Sequence, residues 1–267
     1  MSEVTLVERS GGLVTVTFNR PDRKNALNAE SWADLERILT EVATNPDDRA
    51  LLLTGAGGDF SSGAELSGSM SDDTSSAGLS GERQSTLYEM RTVGEILSRL
   101  HRLPKPTIAA VDGVAVGVSL GIALACDLIV ASDRARFCEV FVRRGLALDG
   151  GTSWTLPRHV GLRRAKQIAF MGDMIAAADA LAWGLVNEVV AAPDLMRVAT
   201  EWGHRLAAGP TTALSLIKRS LDSSMAVSFE QAIEDEARAQ HVAFTTDDLA
   251  EGIRAFVERR APRFTGT

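Results

Sequence analysis

The stretch Thr107-Ile-Ala-Ala-Val-Asp-Gly-Val-Ala-Val-Gly-Val-Ser-Leu-Gly-Ile-Ala-Leu-Ala-Cys-Asp127 decides how this chain is read. It opens as a strand: Thr107, Ile108 and Val111 follow the Pro104-Lys-Pro106 stop. Asp112-Gly113 breaks the strand, and small residues continue through Gly117, Ser119 and Gly121. From about Val118 to Ala125 the chain is uninterruptedly apolar, as a short buried helix is. A strand, a glycine turn and a helix start can aim free backbone N–H groups at an anion. The same pattern also serves a tightly packed strand-helix corner, in which glycine only lets backbones approach. One copy does not separate the two.

A second stretch shifts the balance. Leu51-Leu-Leu-Thr-Gly55 reads as a buried strand, and Gly57-Gly-Asp-Phe-Ser-Ser-Gly-Ala-Glu-Leu66 as the small-residue loop that leaves it. Two strand exits thus end in glycine-rich backbone. Two converging N–H donors are what an oxyanion hole requires.

The rest of the chain is read around these two exits. Val4 to Glu8 and Leu13 to Asn19 alternate apolar with polar across Ser10-Gly11-Gly12, which predicts an antiparallel hairpin. Asn28 is placed to cap a helix with Trp32, Leu35, Ile38, Leu39 and Val42 on one face. Ser67 to Thr86 is a Ser, Gly, Asp and Thr tract, readable as a mobile wall of a site or as a surface insertion. A helix over Leu87–Arg102 and strands over Asp127–Ser132 and Ala135–Cys138 follow. Helices are then expected around Ala165–Met171 and over Ile175–Trp183, and a last strand over Val186–Val190. Beyond Pro193 only helical patterns occur. The chain therefore divides into a strand-strand-helix core, residues 1–195, and a helical appendage, 196–267. The fold class is α/β with parallel strands.

Bulk properties narrow the function. The 267 residues are 45% hydrophobic and 24% charged, ordinary for a globular protein with a large core. A net charge of −7 argues against general nucleic-acid binding. Met1-Ser-Glu-Val-Thr lacks the basic start and apolar run of a signal peptide, and no stretch is long and apolar enough for a membrane helix. The expectation is a cytoplasmic protein with no membrane partner. Cys126 and Cys138 read as buried thiols, and the scattered His101, His159, His204 and His241 give no metal-ligand spacing, so no metal is expected.

Four segments resemble the enoyl-CoA hydratase/isomerase (crotonase) superfamily. Gly58-Asp-Phe-Ser-Ser-Gly-Ala-Glu-Leu66 and Val111-Asp-Gly-Val-Ala-Val-Gly-Val-Ser-Leu-Gly-Ile-Ala-Leu-Ala-Cys-Asp127 are similar to its two signatures. Asn19-Arg-Pro-Asp-Arg-Lys-Asn-Ala-Leu-Asn28 resembles its CoA-binding turn, and Glu251 to Phe264 its C-terminal ending. The resemblance implies a spiral of ββα units, with the C-terminal helices forming a trimer or a hexamer. It implies an acyl-CoA thioester as substrate, with no separate cofactor. The oxyanion donors would be the backbone N–H groups of Ala64 and Val118, where the family usually has glycine at the second position. Gly117 could relax that turn. Arg23, Lys24 and the Ala26 backbone match the CoA-binding positions, although a solvated basic turn reads the same way. The resemblance also implies CoA-binding roles for Glu65, Leu66 and Gly117, and Arg259 and Phe264 match an element that reaches CoA, in some members from an adjacent subunit.

Family hydratases use two glutamates. Gly121 and Phe141 stand at those positions here, and neither moves a proton. Glu139, on one strand face with Phe141, is out of register to substitute. Asp149, in Gly145-Leu-Ala-Leu-Asp-Gly-Gly151, matches the family members that carry one acid before the glycines, the double-bond isomerases among them. An Asp-Gly turn or a helix cap is the plain alternative. With Asp149 as the acid, a 1,3-proton shift is expected, with Phe141 and Trp154 lining a dry acyl pocket. Hydration by Asp149 with Glu139 or Glu65, or acyl-CoA binding without catalysis, are the rivals.

Overall fold

The computed structural model describes residues 4–65 and 86–267, so Leu66 and nearly all of the Ser67–Thr86 tract lie outside it. Its strands, in chain order, are β1 (Thr5–Ser10), β2 (Leu13–Phe18), β3 (Ala50–Gly55), β4 (Thr107–Val111), β5 (Val114–Val116), β6 (Leu128–Ser132), β7 (Arg136–Cys138), β8 (Ile175–Ala176) and β9 (Glu188–Val190). The helices are α1 (Ala29–Thr44), α2 (Thr86–His101), α3 (Val118–Ala125), α4 (Thr152–Val160), α5 (Leu162–Met171), α6 (Ala177–Ala182), α7 (Leu195–Ala207), α8 (Thr211–Ser223), α9 (Phe229–Ala243) and α10 (Asp247–Glu258).

β1 and β2 form the expected hairpin, turning on Gly11 and Gly12, both at positive φ as a two-residue turn of this twist demands. From β2 the sheet grows in parallel, in the order β1-β2-β3-β4-β6-β9. A second sheet, β5-β7-β8, stands after the strand exits. Strand, short strand and helix thus succeed one another, as in β4-β5-α3 and β6-β7-α4.

Strand alternation sorts the core into two layers. Val14, Val16, Leu51, Leu53, Ala109, Val111 and Ile129 face α1, α2 and α3. Leu13, Ala50, Leu52, Ile108, Ala110 and Val130 face the opposite way, onto Leu195, Val198, Ala199 and Ala207 of α7. The contact is close: a Cβ on Gly203 of α7 would lie 2.7 Å from Leu13.

Three expectations change. α7 is not appendage but the second core layer, so the packing boundary falls near Gly209 rather than at residue 195; the switch to an all-helical pattern marks a change of element, not of core. α8 and α9 bury no residue fully, and Ile217, Leu221, Phe229 and Ile233 on them stay exposed. Ile175–Ala176 is strand rather than helix, because it pairs antiparallel with Arg136–Phe137 and buries Ile175. Val114–Val116, read as part of the glycine turn, is a strand parallel to β7.

Candidate active site

The first strand exit is braced by a buried asparagine. Asn25 Nδ2 donates to the carbonyls of Ala56 (2.8 Å) and Asp59 (2.6 Å), and its Oδ1 accepts from Arg20 N–H at 2.8 Å. The loop then runs beside β5: Ser61 N–H donates to Val114 O at 2.9 Å, and Val116 N–H to Ser61 O at 3.2 Å. Gly63 can follow this path only as glycine. Its φ is +101°, and a Cβ there would stand 2.8 Å from Val116 O. Leu27 bridges to Ala64 in parallel fashion, giving its N–H to Gly63 O (2.8 Å) and taking Glu65 N–H (2.9 Å). In such a bridge the middle residue's own N–H points off the far edge, so the Ala64 N–H is free to donate.

The second exit delivers the other donor. Gly117 takes the unusual conformation, φ 58° and ψ −128°, and gives its N–H to Cys138 O at 2.8 Å. Leu120 and Gly121 N–H both turn back to Gly117 O. Val118 N–H is left as an unclaimed amide at the start of α3. Valine is tolerated there because the positive φ falls one residue earlier, on Gly117. The two exits are cross-braced by side chains: Ser119 Oγ donates to Ser61 Oγ at 2.6 Å, and Ser61 Oγ to Asn25 O at 2.7 Å.

Asp149 reaches the same place from the loop before α4. Its side chain does not cap that helix. Gly151 holds the N-cap position, and Thr152 N–H and Oγ donate to the Asp149 main-chain carbonyl. The carboxyl is partly exposed, but Oδ1 is shielded and has no partner. Burial raises its pKa above the ordinary carboxylate range. The loop is pressed onto α3 by glycine. A Cβ on Gly121 would lie 2.6 Å from Gly150 O, and one on Gly150 would lie 3.3 Å from Val118 Cγ2. Gly121 is therefore the contact that lets the aspartate loop approach the Val118 donor.

Glu139 departs from its sequence reading. The strand ends at Cys138, and at Glu139 the chain turns into a 3-10 helix, Val140–Arg144, so Glu139 does not share a strand face with Phe141. It has no accessible surface, and neither carboxyl oxygen has a partner. Its pKa is pushed up to about 9, first by burial and then by the charge of Asp149. Sequence pairs Glu139 with Asp149 only as the two acids of a hydratase, and does not show that Glu139 is buried.

The other expected residues divide. Phe141 is buried against Gly117, a Cβ on which would lie 3.6 Å from Phe141 Cζ. Trp154 does not join it; it lies under Arg158, 3.7 Å from the ring centre, and edge-on to His101. Trp154 and His101 line a cleft of about 930 Å³ between α2, α4 and α8, together with Gly150 and Gly151. The basic turn sits beside the first donor loop, through Ser62 N–H to Lys24 O at 2.9 Å. Arg23 and Lys24 are exposed there, Lys24 3.7 Å from Asp59. Ala26 O already accepts from Arg20 Nη1 at 2.6 Å, and Arg20 also pairs with Glu65 at 2.9 Å. Glu65 is thus a brace for this turn, and Arg20 is a member of the site that the sequence reading passed over.

Arg259 and Phe264 are not brought to the donors of their own chain. Arg259 ends α10 in the left-handed region. Phe264 O accepts from Arg49 Nη1 at 2.9 Å, and Asp248 takes the N–H groups of Thr265 and Gly266. Arg49 precedes β3, whereas the donor loop follows it, so the whole strand, ~20 Å, separates them. Among the described residues, no group of three or more His, Cys, Asp or Glu is placed to hold a metal, and no helix is long and apolar enough to cross a membrane.

Two amides left unclaimed at the two strand exits, with a partly exposed carboxyl on the loop packed against the second, suit chemistry at an acyl carbonyl. The sequence profile described as enoyl-CoA hydratase/isomerase matches residues 8–267. The chain belongs to the enoyl-CoA hydratase/isomerase family. Within that family it is 37% identical to the 1,2-epoxyphenylacetyl-CoA isomerase of Escherichia coli K12, over all of both chains. It is 33% identical to the short-chain-enoyl-CoA hydratase of Clostridium acetobutylicum, covering 96% of this chain and 95% of that one. The solved enoyl-CoA hydratase of Bacillus anthracis superposes with a TM-score of 0.90 at 28% identity, over 99% of this chain and all of the other. This member of the enoyl-CoA hydratase/isomerase family is accordingly an acyl-CoA enzyme with the crotonase fold.

Proposed function

We propose that this enzyme moves a carbon–carbon double bond, or the equivalent proton, within an acyl-CoA ester. The Ala64 and Val118 amides hold the thioester oxygen as negative charge gathers on it, a contribution of about 3 kcal/mol for each donor. Asp149 removes the proton from the α-carbon and returns it at the γ-carbon. The raised pKa of Asp149 brings its conjugate acid closer in strength to the carbon acid it must serve. Arg23 and Lys24 supply positive charge for the CoA phosphates beside the Ala64 loop. The C-terminal residues Arg259 and Phe264 act, on this reading, in a neighbouring subunit of a trimer.

The observation that carries the reading is that, among the described residues, Asp149 is the acid at the Val118 turn with exposed surface, Glu139 having none and Glu65 being paired with Arg20. Gly121, where a hydratase of this family has a glutamate, is packed on Gly150 and has no room for a side chain. Glu139 has no accessible surface and so touches no water in the open site. Hydration needs a carboxyl in contact with the attacking water. A single exchanging acid suits isomerisation instead.

The test is solvent deuterium exchange into a panel of saturated, 2-enoyl and 3-enoyl CoA esters, followed by mass spectrometry. Asp149→Asn is expected to lower exchange and double-bond migration by 10²-fold or more while CoA-ester binding persists. Turnover as fast as wild type would remove Asp149 from the mechanism. Exchange-free water addition would favour the hydratase, and tight binding with no exchange in the wild type would leave a binding protein.

A further inference from the structure

Glu139 is held against the active site without being part of its surface. The residues around it in sequence all touch the turn that presents the Val118 donor. Cys138 O accepts from Gly117 N–H at 2.8 Å, and a Cβ on Gly117 would lie 3.6 Å from both Val140 Cγ1 and Phe141 Cζ. From the other side, Gly150 packs on Val118 and Gly121 of the same turn. Asp149 and Glu139 therefore converge on one helix start, near enough that the charge of one acts on the other. Both Glu139 oxygens are enclosed without a partner, and so is Asp149 Oδ1. A protonated carboxyl carries one O–H donor, and a carboxylate oxygen is an acceptor. Each acid thus lacks what the other has.

We propose that Glu139 is a positioning residue for Asp149: in the loaded site its protonated carboxyl donates a hydrogen bond to Asp149 Oδ1, turning Oδ2 toward the substrate α-carbon. This rests on Asp149 being the general base. The pair keeps one negative charge in the site, which a carboxylate and a developing oxyanion can tolerate, whereas two carboxylates and an oxyanion repel.

The surroundings leave Asp149 as the group that governs Glu139. α3 and β5, packed against it, carry no titratable side chain. From β7 comes the buried thiol of Cys138, itself held protonated by burial. Arg143 and Arg144 on its own 3-10 helix are exposed, and Arg143 is engaged by Asp173 at 2.6 Å. On α5, Arg163 and Lys166 are exposed and Arg164 lies over Trp183. Glu139 accordingly keeps its proton until about pH 9. Losing it removes the donor and doubles the charge. Activity should rise as Asp149 ionises and fall again near pH 9.

The experiment is the pH profile of kcat for deuterium exchange in wild type, Glu139→Gln and Glu139→Leu. Glutamine keeps an N–H donor but cannot ionise; its kcat should fall about threefold at neutral pH, and the alkaline decline near pH 9 should vanish. Leucine has no donor, and its kcat should drop tenfold or more at an unchanged KM. A purely structural role would move neither the alkaline limb nor the difference between Gln and Leu, and that result overturns the proposal. If Leu fails to fold, the Gln profile decides alone. An infrared difference spectrum, wild type minus Glu139→Gln, reads the same point without turnover: a protonated carboxyl band at pH 7.5 that titrates away around pH 9 is expected, and its absence at pH 7.5 refutes the assignment. Asp149→Asn keeps the two readings apart. Full exchange in that variant fells the Asp149 mechanism, whereas a dead Asp149→Asn beside an unchanged Glu139→Gln alkaline limb fells only the role of Glu139.

Discussion

Glu139→Gln should make the protein more stable, and increasingly so as pH rises. The folded state holds the Glu139 proton up to about pH 9, whereas the unfolded chain releases it near the ordinary glutamate value of 4.5. Because the folded pKa is raised, the protonated acid's contribution is fully present below pH 4.5 and is lost as pH climbs toward 9. At each pH between those limits the unfolded state binds fewer protons, so wild-type stability declines by about 1.4 kcal/mol per pH unit from this group. Between pH 5 and pH 7 the loss is about 3 kcal/mol, an upper figure for a site that relaxes on ionisation. Glutamine has the same shape and no titration, so its advantage over wild type should grow by up to that amount. Urea denaturation of both proteins at pH 5, 6, 7 and 8, compared at equal slopes, measures it. A stability difference that stays constant over this range would refute the claim that Glu139 is buried as the neutral acid.

Three further outcomes follow, two from contacts around the strand exits and one from the anchor of the C-terminal segment. Gly121→Glu should not create a hydratase: with Gly150 O 2.6 Å from the new Cβ, the aspartate loop must move, costing about 1–3 kcal/mol in stability and most of the deuterium exchange. Ser119→Ala removes the bond to Ser61 that ties the two strand exits together; thermal melting should show a loss of about 1 kcal/mol, with kcat reduced more than KM is raised. Arg49→Ala deletes the anchors to Phe264 O, Gly209 O and Thr211 Oγ, and hydrogen exchange at Thr265 and Gly266 should speed up by tenfold or more, which unchanged protection would contradict.

The parts of this molecule that sequence discloses are those set by local pattern. Alternation and glycine pairs placed the β1–β2 hairpin, and Asn28 capped α1 as its position before the apolar stripe implied. The two glycine-rich strand exits were legible because their glycines answer to steric demands, at Gly63 and Gly117, that no other residue meets. What escaped depends on contacts between distant segments. β5 and β8 are strands only because β7 lies between them. α7 looked like the first appendage helix until the sheet face it covers was known. Glu139 seemed out of register because a 3-10 turn at Val140 is invisible in a run of mixed residues. Phe264 carries a motif whose place in the chain does not reveal that Arg49 ties it at the far end of β3.

The contact of Gly121 with Gly150 has a consequence for how reactions diverge on this scaffold. Main chain of Gly150 occupies the volume that a side chain on residue 121 would need, so a change of side chain there also demands a change in the path of the polypeptide. No single codon change restores the missing acid, because room for it opens only if the loop carrying Asp149 is rebuilt. On the proposed function, gaining water addition would take a loop exchange, and chimeras that transplant residues 145–151 as a block are the proteins in which to seek it.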